Sequence, residues 1–468
     1  MSSGTTSSVP AYMFMHKKFI KVFAFFLATV LTASVSTAQA SKGVISETEF
    51  DLAADALIRE VEDPNSGVTF SLLRQNILSL FSSLPPVVQQ KLRVEKYDER
   101  LNQIDGKWYP QVSMNAGIKN YQRDSTTLGN TSPINVTVQQ KLWDFGATTN
   151  ERAVLEAEKD AEQAAIRGAR SDTLLKCIQA TLALQKARRL EFFVLGYVNS
   201  RKSFAKFMQQ RKELGAASEI DVVRAKAKVA QALEQIPAAQ AEVARAMAAY
   251  EAVFGQRPQN VSYQYYRLPA VGSLIDDQGL DEIAKASPSV VAQRAVAAAA
   301  AARVSQLKMT QFGVFQAQFG VSSGERSIAG YSRQSTLSVE YRVEIFDGFR
   351  SQAAVQEAVL TSSEEILELD QITRDQIQAV RNAKSDMESS KATLVTRLDL
   401  LKTTRAVDAG TRELFTLDRA SITDVFREQE AHFLAARQVV EGIFARDVAT
   451  YRYLHVLDKL LPAFELES

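Results

Sequence analysis

The chain is written twice, and no other feature constrains its fold as strongly. Pro85-Pro86-Val87-Val88-Gln89-Gln90 returns as Pro288-Ser289-Val290-Val291-Ala292-Gln293, an offset of 203 positions (288 minus 85). Gly117 falls on Gly320 and Trp143-Asp144 on Phe346-Asp347 at the same spacing. Ser218-Glu219-Ile220-Asp221-Val222 falls on Ser421-Ile422-Thr423-Asp424-Val425, again without insertion. A constant offset over that length is the mark of a tandem duplication, so each element has to be read as one of a pair.

Each half carries the same plan. A helix over residues 86–107 or 289–308 precedes two stretches in which apolar side chains take every second place. Val112, Met114, Ala116 and Ile118, then Ile134, Val136 and Val138, alternate with Ser113, Asn115, Lys119, Asn135, Thr137, Gln139 and Lys141. Phe315, Ala317, Phe319 and Val321, then Leu337, Val339, Tyr341, Val343 and Ile345, repeat the pattern opposite Gln316, Gln318, Ser338, Glu340, Arg342 and Glu344. Period two over ~10 residues, with Trp108, Tyr109, Trp143, Phe312 and Phe346 at the ends, fits a transmembrane β-strand. The strands are expected at 110–121, 133–143, 312–321 and 335–346, with polar loops over Gln122–Thr131 and Ser322–Arg333. Four strands cannot close a barrel with a lumen, and open edges are not tolerated in lipid, so several chains would have to share one barrel.

After each hairpin comes a proline-free helical run, 147–213 and 350–416, long enough to span ~100 Å as helix. Apolar residues at Phe193, Tyr197, Phe204 and Phe207, and at Val380, Met387, Leu394 and Leu401, recur at coiled-coil spacing. Return helices are expected at 219–254 and 422–457. Each long helix is expected to pack against two shorter ones stacked end to end. Residues 41–84, 256–287 and 458–468 would then form an equatorial belt around the repeats 85–255 and 288–457.

The N-terminus reads as an export signal. His16-Lys17-Lys18 and Lys21 precede an apolar run from Val22 to Val35, and Ala38-Gln39-Ala40 fits a small-x-small cleavage site. Residues 1–40 are therefore expected to be an extension plus signal peptide, with Met13 or Met15 an alternative start; a membrane anchor is the other reading of the run. Elsewhere the composition excludes more than it suggests. Basic and acidic residues number 55 and 54, so no global field points to nucleic acid. Three His and one Cys leave little for metal or thiol chemistry, and a disulfide within the chain is impossible.

By its duplicated strand–strand–long-helix unit the chain resembles the TolC family of outer-membrane efflux and secretion channels. Two motifs carry the resemblance. The strand-to-helix corner is Leu142-Trp143-Asp144-Phe145-Gly146 and again Ile345-Phe346-Asp347-Gly348-Phe349. The helical turn is Gly215-Ala216-Ala217-Ser218-Glu219-Ile220-Asp221-Val222, echoed at Ser421, Thr423 and Asp424. The resemblance implies a mixed α and transmembrane β fold: a homotrimer with one twelve-stranded barrel in outer-membrane lipid, continued by an α-helical coiled-coil tunnel across the periplasm. It also implies a periplasmic adaptor protein and an inner-membrane ABC or proton-driven pump as partners, and places Asp221 and Asp424 at the periplasmic entrance, as rings of carboxylates. Each Asp equally fits an N-terminal helix position, where it relieves unpaired N–H groups, and the two roles can coexist. Leu417-Asp418 stands where the second turn usually has Gly, so its backbone is expected to differ from the first. Arg427, one turn past Asp424, would weaken an anionic ring, and Arg224 holds the equivalent place.

Asp144-Phe145-Gly146 also spells the magnesium-binding triplet of protein kinases, but no His-Arg-Asp loop, glycine-rich loop or strand lysine accompanies it. Ser203-x-x-Lys206 lacks the companions of a serine nucleophile. Cys177 falls on Val380, and Val229 on His432, so both polar residues read as structural. The expectation is no enzyme, no cofactor and no metal, but a passive exit duct for small toxic compounds or for an unfolded protein, as in type I secretion. A non-conducting periplasmic coiled-coil adaptor or scaffold is the alternative. Trp143 and Phe346 would anchor at the membrane interface, Asp144 and Asp347 would cap the incoming helices, and Gly146 and Gly348 would relax the backbone. Asp144→Asn should then hardly affect export.

Overall fold

A computed structural model describes residues 49–62, 70–117, 119–123, 126–131, 134–258, 277–327 and 330–466. The expected export signal lies outside them. Two helices lead, α1 (Glu49–Glu62) and α2 (Phe70–Phe81). The first repeat follows as α3 (Pro85–Asp105), β1 (Gln111–Ala116), β2 (Lys119–Arg123), β3 (Thr126–Thr131), β4 (Ile134–Trp143), α4 (Ala147–Glu213), α5 (Glu219–Leu233) and α6 (Gln235–Phe254). After α7 (Asp277–Lys285), the second repeat runs through α8 (Pro288–Thr310), β5 (Val314–Ser327), β6 (Gly330–Arg342), α9 (Arg350–Thr416) and α10 (Ile422–Val456), and the short α11 (Leu460–Ala463) closes the fold.

The helices answer to local chemistry. Pro85 and Pro288 start α3 and α8, where the missing N–H has no helical partner in any case. Helix α4 lies against α3 on one stretch and against α5 and α6 on another. Its seam with α3 and the tight turn that follows it is laced by Arg93–Glu162, Lys159–Asp98, Arg152–Asp105 and Lys107–Glu151, which descend one side while climbing the other, as antiparallel neighbours must. In the second repeat α9 lies against α8 and α10, and α8 also packs on α4, joining the repeats.

The core has one centre at mid-helix and another towards the tip. At the first, Leu73, Ile77 and Phe81 meet Leu174, Ile178 and Leu184 of α4, with Tyr250, Phe254, Tyr451, Leu460 and Phe464 around them. Helix α7 packs at the corresponding level of α9, through Leu280, Ala284, Val380 and Met387. Helix α1 belongs to the second centre, with Phe193, Tyr197, Leu394, Leu401, Phe433 and Val440.

Several expected boundaries change. The return helix 219–254 is two helices, parted at Glu234, because Pro237 has no N–H to give and its ring crowds the carbonyl of Leu233. Its counterpart in the second repeat is Val440, and α10 runs unbroken to Val456, one residue short of the expected end. The expected loops are largely strand: β2 and β3 form their own hairpin within 119–131, while β5 and β6 pair as far as Ser327 and Gly330. Strand β6 stops at Arg342 rather than 346. The last partner on β5, Val314, is used at that residue, and β6 is the edge of the sheet.

Candidate functional site

The four-stranded antiparallel sheet has the order β1-β4-β5-β6, so the duplication places two like hairpins side by side. Its register lines up side chains of one character across all four strands. Val112, Val138, Phe319 and Leu337 form one row, and Met114, Val136 and Val321 continue that face. The alternate rows are Gln111–Gln139–Gln318–Ser338, Ser113–Thr137–Gly320–Thr336 and Asn115–Asn135–Ser322–Gln334. Apolar side chains on one face stand bare in the single chain: Val112 is 69% exposed and Leu337 76%. A soluble sheet buries such a face; here the amide and hydroxyl face is the one that suits water. Strands β1 and β6 each have one unpaired edge among the described residues.

At the helix end of the sheet the aromatic residues gather. Phe315 stacks on Tyr341 at 4.5 Å between ring centres, and Phe145 packs near Trp143, Phe312, Phe315 and Tyr341. Trp143 and Phe346 stay largely exposed. The two corners share one construction. The Asp144 carboxylate accepts from the Thr148 amide at 2.9 Å and from the Thr148 hydroxyl, and pairs with Lys141 at 3.1 Å. Asp347 accepts from the Ser351 amide at 2.7 Å and from its hydroxyl, 203 positions on. Burial alone would raise the Asp144 pKa, but the Thr148 bonds and Lys141 outweigh it and hold the carboxyl below its ordinary value. At Asp347 the Ser351 hydroxyl and amide do the same. Both corners use two successive residues of positive φ, Phe145 (56°) and Gly146 (91°) in one, Gly348 (71°) and Phe349 (66°) in the other. The backbone is repeated while the letters are exchanged.

The far ends of the long helices carry the other candidates. Gly215, at φ 73°, lets the Ala216 amide reach the Arg211 carbonyl at 2.7 Å. Asp418 takes the same place at φ 58°, and the Arg419 amide reaches the Leu414 carbonyl at 2.9 Å. The second turn therefore has the backbone of the first, contrary to the expectation drawn from its missing Gly. Asp is among the side chains that tolerate this conformation, and its carboxylate is held by Arg211 at 2.5 Å. Ser218 and Ser421 then cap α5 and α10, receiving the amides of Asp221 at 3.2 Å and Asp424 at 3.1 Å. Asp424 returns the bond to the Ser421 amide, closing a capping box. The Ser421 hydroxyl and amide, with Arg427 at 3.2 Å, hold the Asp424 carboxyl below its ordinary pKa. Arg224 lies 3.6 Å from Asp221. Thr423 lines a groove between α5 and α10 with Arg224, Lys228, Phe426, Arg427 and Glu430.

Asp51, Asp408 and His432 bring three ligand-type atoms within 4.8 Å of one another. Arg412 already binds both carboxylates, at 2.7 Å to Asp51 and 3.1 Å to Asp408, so the cation of that cluster is a guanidinium. The cluster joins residues 361 positions apart and gives no local sequence signal.

The outer membrane efflux protein family matches residues 80–256, the first repeat. Protein CyaE of Bordetella pertussis is 25% identical over 370 residues, covering 76% of this chain and 77% of that protein. Outer membrane efflux protein BepC of Brucella suis is 19% identical over 389 residues, covering 82% and 84%. Over its first repeat, then, the chain is similar to outer-membrane efflux proteins. Its fold is that of solved channels: CusC (TM-score 0.73, 15% identity, 91% of this chain and 99% of that one) and VceC of Vibrio cholerae (0.71, 12%, 83% and 96%). The open state of MtrE from Neisseria gonorrhoeae aligns at 0.70, with 13% identity over 91% and 94%. The matched family and BepC are both described as outer membrane efflux proteins. No helix among the described residues is long and apolar enough to cross a membrane.

Proposed function

We propose that three copies of the chain close one twelve-stranded barrel and act as the passive exit duct of a tripartite export system. The observation that carries this reading is the four-stranded sheet with an apolar face, an amide and hydroxyl face, and two unpaired edges. Lipid tolerates no free edge, so the strands must be completed by copies of themselves.

The duplication supplies the register of the seam. Within the chain β4 pairs with β5, placing Gln139 opposite Gln318 and Val138 opposite Phe319. Moving the β4 residue forward by 203 and the β5 residue back by 203 puts Arg342 opposite Asn115 of the next copy, and Tyr341 opposite its Ala116. The same shift turns Trp143–Phe315 into Phe346–Val112, so β6 would extend to 346 once a neighbour is present. The helices then continue as a periplasmic tunnel, with α2, α7 and α11 contributing its equatorial layer. The turns at Gly215, Ser218, Ser421 and Thr423, with Asp221 and Asp424, form the entrance, where a periplasmic adaptor fed by an inner-membrane ABC or proton-driven pump would dock.

Each entrance Asp is bound by its own capping Ser and neighbouring Arg, which favours a capping role over an open anionic ring. The inner rows are uncharged amides and hydroxyls through the middle of the sheet, suited to a bore that conducts small toxic compounds or an unfolded polypeptide without recognising either. Planar-bilayer recording on protein extracted from outer membranes tests the reading. Discrete single-channel currents are expected; a soluble, monomeric protein without current would return the chain to the scaffold class.

A further inference from the structure

Helix α1 touches the tip-ward helices of both repeats. The Phe50 ring sits 5.9 Å from Phe193 and 6.4 Å from Tyr197 on α4, and 4.9 Å from His432 and 6.1 Å from Phe433 on α10. A Cβ on Gly196 would lie 3.5 Å from the Phe50 backbone, so α1 approaches α4 closely there. Around this apolar plug, acidic residues of α1 reach basic residues of the long helices. Asp51, fully buried, takes Arg412 of α9 at 2.7 Å, with Arg405 3.8 Å away. Asp55 takes Arg405 through two bonds of 3.1 and 3.0 Å. Glu60 pairs with Arg189 of α4, and Glu62 with Lys402 of α9. Arg412 lies four residues before the end of α9, about one helical turn from the entrance turn.

We propose that α1 is a latch, which holds α9 and α10 against α4 and thereby sets how far the entrance turns can part. A helix bonded to two bodies resists their relative motion, and the contacts here are directional ion pairs around one inserted ring. Sliding of α9–α10 past α4 must break one set of pairs before the turns can separate. The word entrance rests on the duct reading; the mechanical coupling does not.

The test uses the full chain in lipid, with nitroxide labels on Leu214→Cys and Leu417→Cys, exposed by 84% and 59% in the two turns. Cys177 is buried and remains unlabelled. Asp55→Arg or Arg405→Asp should lengthen or broaden the label distance and raise the open fraction in single-channel records about tenfold, the change expected for one lost charge-assisted pair. The double reversal Asp55→Arg with Arg405→Asp should restore both readouts. Glu62→Lys and Lys402→Glu, singly and together, give a milder series on a more exposed pair, for use where Asp55→Arg fails to reach the membrane. Unchanged distances in folded single variants, or a double reversal no better than its parents, would overturn the latch. Loss of current from every protein including wild type would overturn the duct instead, because the label distances would still report the coupling.

Discussion

Two carboxylates show how residue surroundings decide sign. Asp144 is 3% exposed and its charge is welcome, being bonded by Thr148 and Lys141. With its pKa held down, its contribution is present above the unfolded value and disappears as pH falls through the lower folded value. Asp144→Asn keeps one acceptor but aims an amide at Thr148 or Lys141, costing about 1–3 kcal/mol. A lower denaturant midpoint with unchanged single-channel current is the expected outcome; loss of current in folded protein would give Asp144 a conducting role. Asp447 is the opposite case. Burial pushes its carboxyl up to about 6, against the pull of Arg446 at 2.6 Å. A raised folded pKa favours the protonated form, so this stability is full below the unfolded value of 3.8 and is lost as pH rises through 6. The difference of about two units corresponds to roughly 3 kcal/mol. Wild type should therefore be more easily denatured at pH 7 than at pH 5, and Asp447→Asn should flatten that slope; an equal slope in both proteins would refute the assignment.

At the scale of elements, the sequence is most informative where the two halves agree. Period-two rows, the proline-free helices and the corner carboxylates were legible because alternation and capping are local rules. The exchange of Gly146-after-Phe145 for Gly348-before-Phe349 was not, since the letters hide a shared pair of positive-φ residues. Pro237 stood in plain view, and its absence at Val440 explains why one return helix breaks and the other does not. The turn from α8 into β5 was illegible for another reason. Gly313, at φ 80°, lies under the end of β6, where an added Cβ would meet the Arg342 carbonyl oxygen at 2.2 Å. Its counterpart at the 203 offset is Pro110, so the duplication offers no hint. Gly313→Ala forces backbone from backbone, and should sharply reduce assembled protein in the outer membrane. Wild-type assembly of that variant would show that the turn relaxes freely.

For the whole molecule, long-range chemistry escaped the sequence altogether. The pairs that tie α1 to α9 span more than three hundred positions, as in Asp55–Arg405 and Asp51–Arg412, and no local pattern announces them. Removing the buried Asp51 carboxylate would leave Arg412 with Asp408 alone, a loss on the order of 1.5–3 kcal/mol for the charge-assisted bonds given up. The duplication nevertheless reaches the whole assembly, because the β4–β5 pairing inside one chain is a template for the pairing between chains. The most direct test is a disulfide at that seam. Arg342→Cys and Asn115→Cys in one chain should, on oxidation in intact outer membranes, give covalent dimers and trimers on non-reducing gels. Ser338→Cys with Asn115→Cys, displaced by four residues along β6, should give far less. Absence of intermolecular cross-links from the first pair, or equal cross-linking from both, would contradict a shared barrel with this register.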